Sequence, residues 1–116
     1  MPHLVIEYSS GLERHAAIET VMQAVFKAAA ASGVMQPGDI KVRAQGYEHY
    51  LLADAKGSFV HVTCRLLAGR SEAEKVHLST LIRQNLAGLM PAVYSISVDI
   101  ADMDPAAYKK RLLSGG

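Results

Sequence analysis

Tryptophan is absent from the sequence, and cysteine occurs once, at Cys64. A single thiol excludes an internal disulfide framework and any multi-cysteine metal site. Its place in an apolar run suits a buried side chain in a reducing cytoplasm. A charge excess of one sign is missing too. Twelve lysines and arginines against eleven acidic residues leave a formal net charge of +1, which argues against a polyanion-binding surface and hence against nucleic acid as a partner. No apolar run approaches the roughly 18 residues of a membrane span, and no cationic segment with an apolar stretch behind it opens the chain. A soluble, unexported, cytoplasmic protein with no membrane partner is expected.

What is present is hydrophobic by half. A chain of 116 residues makes one domain, 1–116, which buries about two-thirds of its unfolded surface. Its opening stretch, Pro2 to Tyr8, alternates Leu4, Ile6 and Tyr8 with His3, Val5 and Glu7, the period of a half-buried strand. Ser10 with Glu13 has the spacing of a capping box and predicts a helix starting there. Ile18, Val21, Met22, Val25 and Ala29 form its apolar stripe, and Gly33 supplies a left-handed end onto which Val34 folds back. After the turn Gln36-Pro37-Gly38-Asp39, a strand over residues 40–46 sets Lys41 and Arg43 on one face. Residues 47–54 read as a hairpin arm with Ala55-Lys56-Gly57 as its turn.

The strongest strand is Phe59 to Leu67, with Val60, Val62, Cys64 and Leu66 on one face. Ser71 and Glu74 make a second capping box ahead of a second helix, whose stripe runs from Leu78 through Leu81, Ile82 and Leu86 to Leu89 and which Pro91 stops. Tyr94, Ile96, Val98 and Ile100 mark the last strand, and Asp104-Pro105 predicts a short C-terminal helix fraying at Ser114-Gly115-Gly116. The chain is thus an α/β protein of strand, helix, strand performed twice, at about residues 2–46 and 58–101. Both helices are expected on one face of a mixed four-stranded sheet. The other face would carry His3, Val5, Lys41, Arg43, His61, Thr63, Arg65, Ser95 and Ser97. That face is too mixed for a second helical layer, and with the uncovered sheet edges it predicts a symmetric homo-oligomer.

This order of elements, with Pro2-His3, Glu7 and Ser9, then Ala31-Ser32-Gly33, Ala53-Asp54, Phe59-Val60-His61-Val62-Thr63 and Ala68-Gly69-Arg70-Ser71-Glu72, resembles the tautomerase superfamily. Within it the 5-carboxymethyl-2-hydroxymuconate isomerases are the most similar. The resemblance implies a homotrimer, no metal or organic cofactor, and an amino-terminal proline as base. Carried over, Pro2 becomes the general acid or base, and Arg70 a cation that binds or polarises a carboxylate. Lys41 or Arg43 stands for the cation of the second strand. A lysine at 41 keeps the charge of the family's arginine but loses its two-pronged donor. Gly46, Tyr47, His49 and Tyr50 depart from a more tryptophan-rich stretch. The implied substrate is a small anion, an unsaturated 2-hydroxy or 2-oxo dicarboxylate of the kind met in bacterial aromatic-ring degradation.

The chemistry behind those roles is general. Once Met1 is removed, Pro2 exposes a secondary amine; while Met1 stays attached, that nitrogen is a tertiary amide with no basic lone pair. An ordinary α-amine titrates at about 7.7–8.0 and proline's secondary amine starts higher; burial and nearby cations disfavour its charged form and bring it toward neutrality. Arg70 stands just before a helix N-cap, where the dipole disfavours a cation and favours an anion, so cation and free N–H groups together make an anion site. An Arg70 paired with Glu74 or with a neighbouring subunit is the structural alternative. Lys41 and Arg43 read equally as an exposed strand face, His3 and His61 as hydrogen-bonded structural histidines, and Cys64 as core. A non-catalytic oligomer of the same fold, or a related dehalogenase or decarboxylase with a carboxylate or phenol activating water, are the other functions compatible with this pattern.

Overall fold

The alternating stretches become four strands: β1 (His3–Ser9), β2 (Lys41–Tyr47), β3 (Phe59–Leu67) and β4 (Ser95–Met103), with helices α1 (Ile18–Ala31) and α2 (Glu72–Leu89) between the members of each half. This is a computed structural model describing residues 2–53 and 57–113. The sheet order is β2-β1-β3-β4. β1 runs parallel to β2, β3 runs parallel to β4, and the two halves meet through antiparallel β1 and β3. Leu4 lies between Val42 and Cys64, and Ile6 between Ala44 and Val62, so the apolar sets of all strands fall on one face. Both helices cover that face. Val21, Val25 and Ala29 of α1, and Leu78, Ile82 and Leu86 of α2, are fully buried in one core with Leu4, Ile6, Val60, Val62 and Cys64. Each such side chain contributes roughly 1.5–3 kcal/mol on leaving water.

Three local expectations fail. Ser10 does not cap a helix. Its N–H donates to the Tyr47 carbonyl at 2.9 Å, extending the ladder between β1 and β2. Gly11 then turns left-handed at φ 92°, a 3-10 turn Leu12–Arg14 buries Leu12, and α1 begins only at Ile18, with no side-chain cap. The hairpin arm is not formed over residues 48–53, which carry no strand; β2 and β3 flank β1 on opposite sides and cannot pair. Tyr50 holds the loop instead, its ring edge-on to Phe59 at 5.4 Å and its hydroxyl donating to the Gly57 carbonyl at 3.0 Å. Asp54, Ala55 and Lys56 lie outside the described residues. The C-terminal helix is replaced by a single turn: Asp104 accepts from the Ala106 and Tyr108 N–H groups, and the chain goes no further as helix. Ser114-Gly115-Gly116 lies outside the described residues.

The second capping box is real. Ser71 Oγ accepts from the Glu74 N–H at 3.1 Å, and the Glu74 carboxylate accepts from the Ser71 N–H at 2.9 Å. Those hydrogen bonds, with a smaller effect of the Arg70 charge, hold the Glu74 carboxyl below its ordinary value of 4.5. Its stabilising effect is therefore present above that value and lost as pH falls through the depressed one. Ser71→Ala should cost about 1 kcal/mol and lower the melting temperature by about 4 °C, a gap that calorimetry should find narrowing in strong acid. At the other helix, Gly33 takes φ 75° at the end of α1, and Val34 is buried behind it, as the sequence predicts.

Candidate active site

Pro2 immediately precedes β1 and is buried. Its carbonyl accepts the Lys41 N–H at 3.1 Å, so the chain start is tied to the first residue of β2. The register puts Lys41 and Arg65 on either side of His3. Here β1 and β2 begin while β3 and β4 end, the Ala68 N–H closing on the Met103 carbonyl at 3.0 Å. Arg70 follows β3 by three residues. Pro2, Lys41 and Arg70, brought from three separate stretches, thus share one end of the sheet.

The three cations differ in how they are held. Among the described residues, the Lys41 side chain makes no hydrogen bond or ion pair, and it is exposed. Arg70 is half-buried and committed on one side: Nε donates to the Val34 carbonyl at 3.3 Å and Nη1 to the Leu67 carbonyl at 3.0 Å. The expected alternative of an ion pair with Glu74 is not made, because Glu74 is spent on the Ser71 cap. Arg43 points over the open sheet face and donates from Nη1 to His3 Nδ1 at 3.2 Å. A guanidinium only donates, so His3 Nδ1 is the acceptor and Nε2–H donates to the Tyr108 hydroxyl at 2.8 Å. The His3 ring is accordingly neutral. Burial first, then the charges of Arg43, Lys41 and Arg65, lower its pKa from 6.5. Tyr108 was not foreseen from the sequence; it joins His3 across 105 positions, with no local signal.

The remaining candidates are committed elsewhere. His61 is hydrogen-bonded through Nδ1 to Ser97 Oγ at 2.6 Å. Cys64 is buried and its thiol is pushed up to about 12, so it stays protonated. The Tyr47 hydroxyl donates to Glu7, which raises the phenol's pKa. That carboxylate and phenol are the pair a hydrolytic water would want, but Glu7 lies five strand positions from Pro2, roughly 16 Å along β1. A groove of about 270 Å³ between α1 and β2 is lined by Met22, Gln23, Phe26, Ile40 and Val42; without a charged side chain it offers an anion nothing.

A sequence profile of 5-carboxymethyl-2-hydroxymuconate isomerases matches residues 2–112. The chain belongs to the 5-carboxymethyl-2-hydroxymuconate isomerase family. Isomerase is accordingly its enzyme class. It is 27% identical over 112 residues to the 5-carboxymethyl-2-hydroxymuconate Delta-isomerase of Escherichia coli, spanning 90% of this chain and 89% of the relative. The crystal structure of a 5-carboxymethyl-2-hydroxymuconate isomerase from Deinococcus radiodurans superposes with a TM-score of 0.82 at 26% identity, covering 95% of this chain and 88% of that one. A fused 4-OT protein described as a symmetric trimer shares the fold at 18% identity, with a TM-score of 0.75 over 98% of this chain and 93% of its own. In this family context the mixed sheet with two helices on one face is the tautomerase fold. Among the described residues no helix is long and apolar enough to cross a membrane.

Proposed function

We propose that the protein is a cofactor-independent isomerase that relocates a proton within an unsaturated 2-hydroxy or 2-oxo dicarboxylate resembling 5-carboxymethyl-2-hydroxymuconate. The observation that carries this reading is the meeting of a buried Pro2 with Lys41 and the clamped Arg70 at one sheet end. Removal of Met1 frees the proline nitrogen. That amine takes the proton of the enol hydroxyl and returns it at a carbon further along the conjugated chain, its own charge changing by one at each step. Between the two transfers the substrate is a dienolate, and its extra charge is stabilised by cations already in place. Arg70 offers fixed N–H donors to a carboxylate, and Lys41 a mobile point charge. Arg43, held by His3, acts as a second positive field on the substrate side of β2.

A homotrimer completes the reading. The face opposite the helices carries Val5, Glu7, Thr63 and His61 half-buried with no helix or strand of the described residues above them, Tyr108 reaching only His3 at its margin, and the fused 4-OT neighbour is a trimer of the same fold. Other copies would cover this face and close the site from outside. The protein would act in the cytoplasm, as one step of aromatic-compound breakdown.

Ultraviolet assays of 2-hydroxymuconate-type dienols with protein lacking Met1 should show ketonisation well above the buffer rate. Processed, folded protein that leaves both these dienols and phenylpyruvate unchanged would end the isomerase reading for this substrate class.

A further inference from the structure

The Ala31-Ser32-Gly33 stretch carries no charge and no reactive group, yet it leads into the carbonyl that holds Arg70, a cation bonded at two of its nitrogens. Ser32 Oγ donates to the Ala29 carbonyl at 2.6 Å and accepts the Val34 N–H at 3.1 Å. Gly33 between them takes φ 75°, where side chains are rarely tolerated. Together they fix the Gly33–Val34 peptide, and with the Val34 side chain buried in the core this places the next carbonyl, that of Val34, which accepts from Arg70 Nε. The Leu67 carbonyl takes Nη1. Arg70 itself follows Gly69, at φ 131°. A planar guanidinium pinned at two of its nitrogens has no free rotation, so its remaining N–H groups project in one direction.

We propose that Ser32 and Gly33 are positioning residues for Arg70: the cap of the first helix aims the guanidinium donated by the second half of the chain. The inference rests on the reading that Arg70 receives a substrate carboxylate. It adds that substrate affinity is set by residues that never touch substrate. The helix cap need not itself be strong; it has only to fix one carbonyl. Gly33 suits a clean test, since a Cβ there would meet nothing within 4 Å, and alanine changes backbone preference alone.

Two readouts decide it. The Nε–H signal of Arg70 in a ¹⁵N spectrum, assigned by its loss in Arg70→Lys, should be protected from solvent exchange in the wild type. Ser32→Ala and Gly33→Ala should speed that exchange at least about tenfold, and Ser32→Thr, which keeps the hydroxyl, should restore protection. In kinetics with a dienol dicarboxylate, Ser32→Ala should raise KM roughly tenfold, the scale of one weakened charge-assisted contact, and leave kcat nearly unchanged. In the Arg70→Lys background the same substitution should leave KM nearly unchanged. Unaltered Arg70 exchange in both cap variants, or equal KM effects in both backgrounds, overturns the proposal. Gly33→Ala serves where Ser32→Ala fails to fold. A wild type without turnover would sink the functional reading, and the exchange rates would still decide whether the cap orients Arg70.

Discussion

Protein that retains Met1 should turn over dienol dicarboxylates about 10²–10⁴ times more slowly than protein that has lost it, the range over which a positioned acid or base contributes. From Pro2 onward the two forms have the same side chains. They differ in one nitrogen, which is an amide in the first and a secondary amine in the second. Because the Pro2 carbonyl, not its nitrogen, is tied to β2, the extra residue should leave the melting temperature nearly unchanged. Pro2→Ala is a milder change, since its processed form still presents a primary amine; it should fall between the two. The pH profile gives an independent check. The free amine must be unprotonated to accept a proton, so kcat/KM should fall on the acid side, with a midpoint lowered from that of a free prolyl amine, because burial and the nearby cations disfavour its charged form. The Met1-retaining protein should lack that limb. Equal rates from both forms, verified by intact mass, would remove Pro2 from the mechanism.

Arg70→Ala is expected to have the second largest effect, and it should be felt twice. Losing a fixed cationic donor from a charge-developing site costs about 10²–10³ in kcat/KM. Losing the partner of two carbonyls, at Val34 and Leu67, costs stability as well, about 1–3 kcal/mol for each acceptor left dry and less where water reaches it. Arg70→Lys separates the two consequences. It keeps the charge but cannot span both carbonyls and still present a second donor, so part of the rate should return while the melting temperature does not. The loss should also be greater for a dicarboxylate than for phenylpyruvate, which has one carboxylate fewer to hold. An Arg70→Ala protein with a lowered melting temperature and unchanged kcat/KM would make Arg70 a clasp between the two halves and nothing more.

Much of the fold was readable because its signals are local and agree with one another. The alternation of Val60, Val62, Cys64 and Leu66 needs no distant information, and all four side chains are buried. Ser71 and Glu74 cap α2 because each supplies the partner the other needs within one turn. Ser10 and Glu13 have the same spacing and fail, because the Ser10 N–H is taken by Tyr47 of a strand reached 37 positions later. Asp104-Pro105 fails comparably, with Tyr108 drawn to His3 at the other end of the chain. The site divides along the same line. That Pro2, Lys41 and Arg70 share a sheet end follows from the strand order and the antiparallel junction of β1 with β3; the repeated strand, helix, strand pattern implies only the parallel pairing within each half. What each cation is bonded to does not follow. One of Arg70's two acceptors, the Val34 carbonyl, lies in the opposite half of the chain, and Arg43's is an imidazole that also bonds a tyrosine 105 residues away.

The position of β1 in the strand order has a practical consequence. Flanked by ladders on both sides, the opening strand cannot fray as chain termini usually do, and any affinity tag joined ahead of Pro2 would acylate its nitrogen. Leu112 and Leu113, by contrast, stand well out in solvent. With Pro2 as the proposed base, purification handles, fluorophores and surface tethers belong on the carboxyl side, and an inactive amino-tagged preparation would leave the isomerase proposal standing.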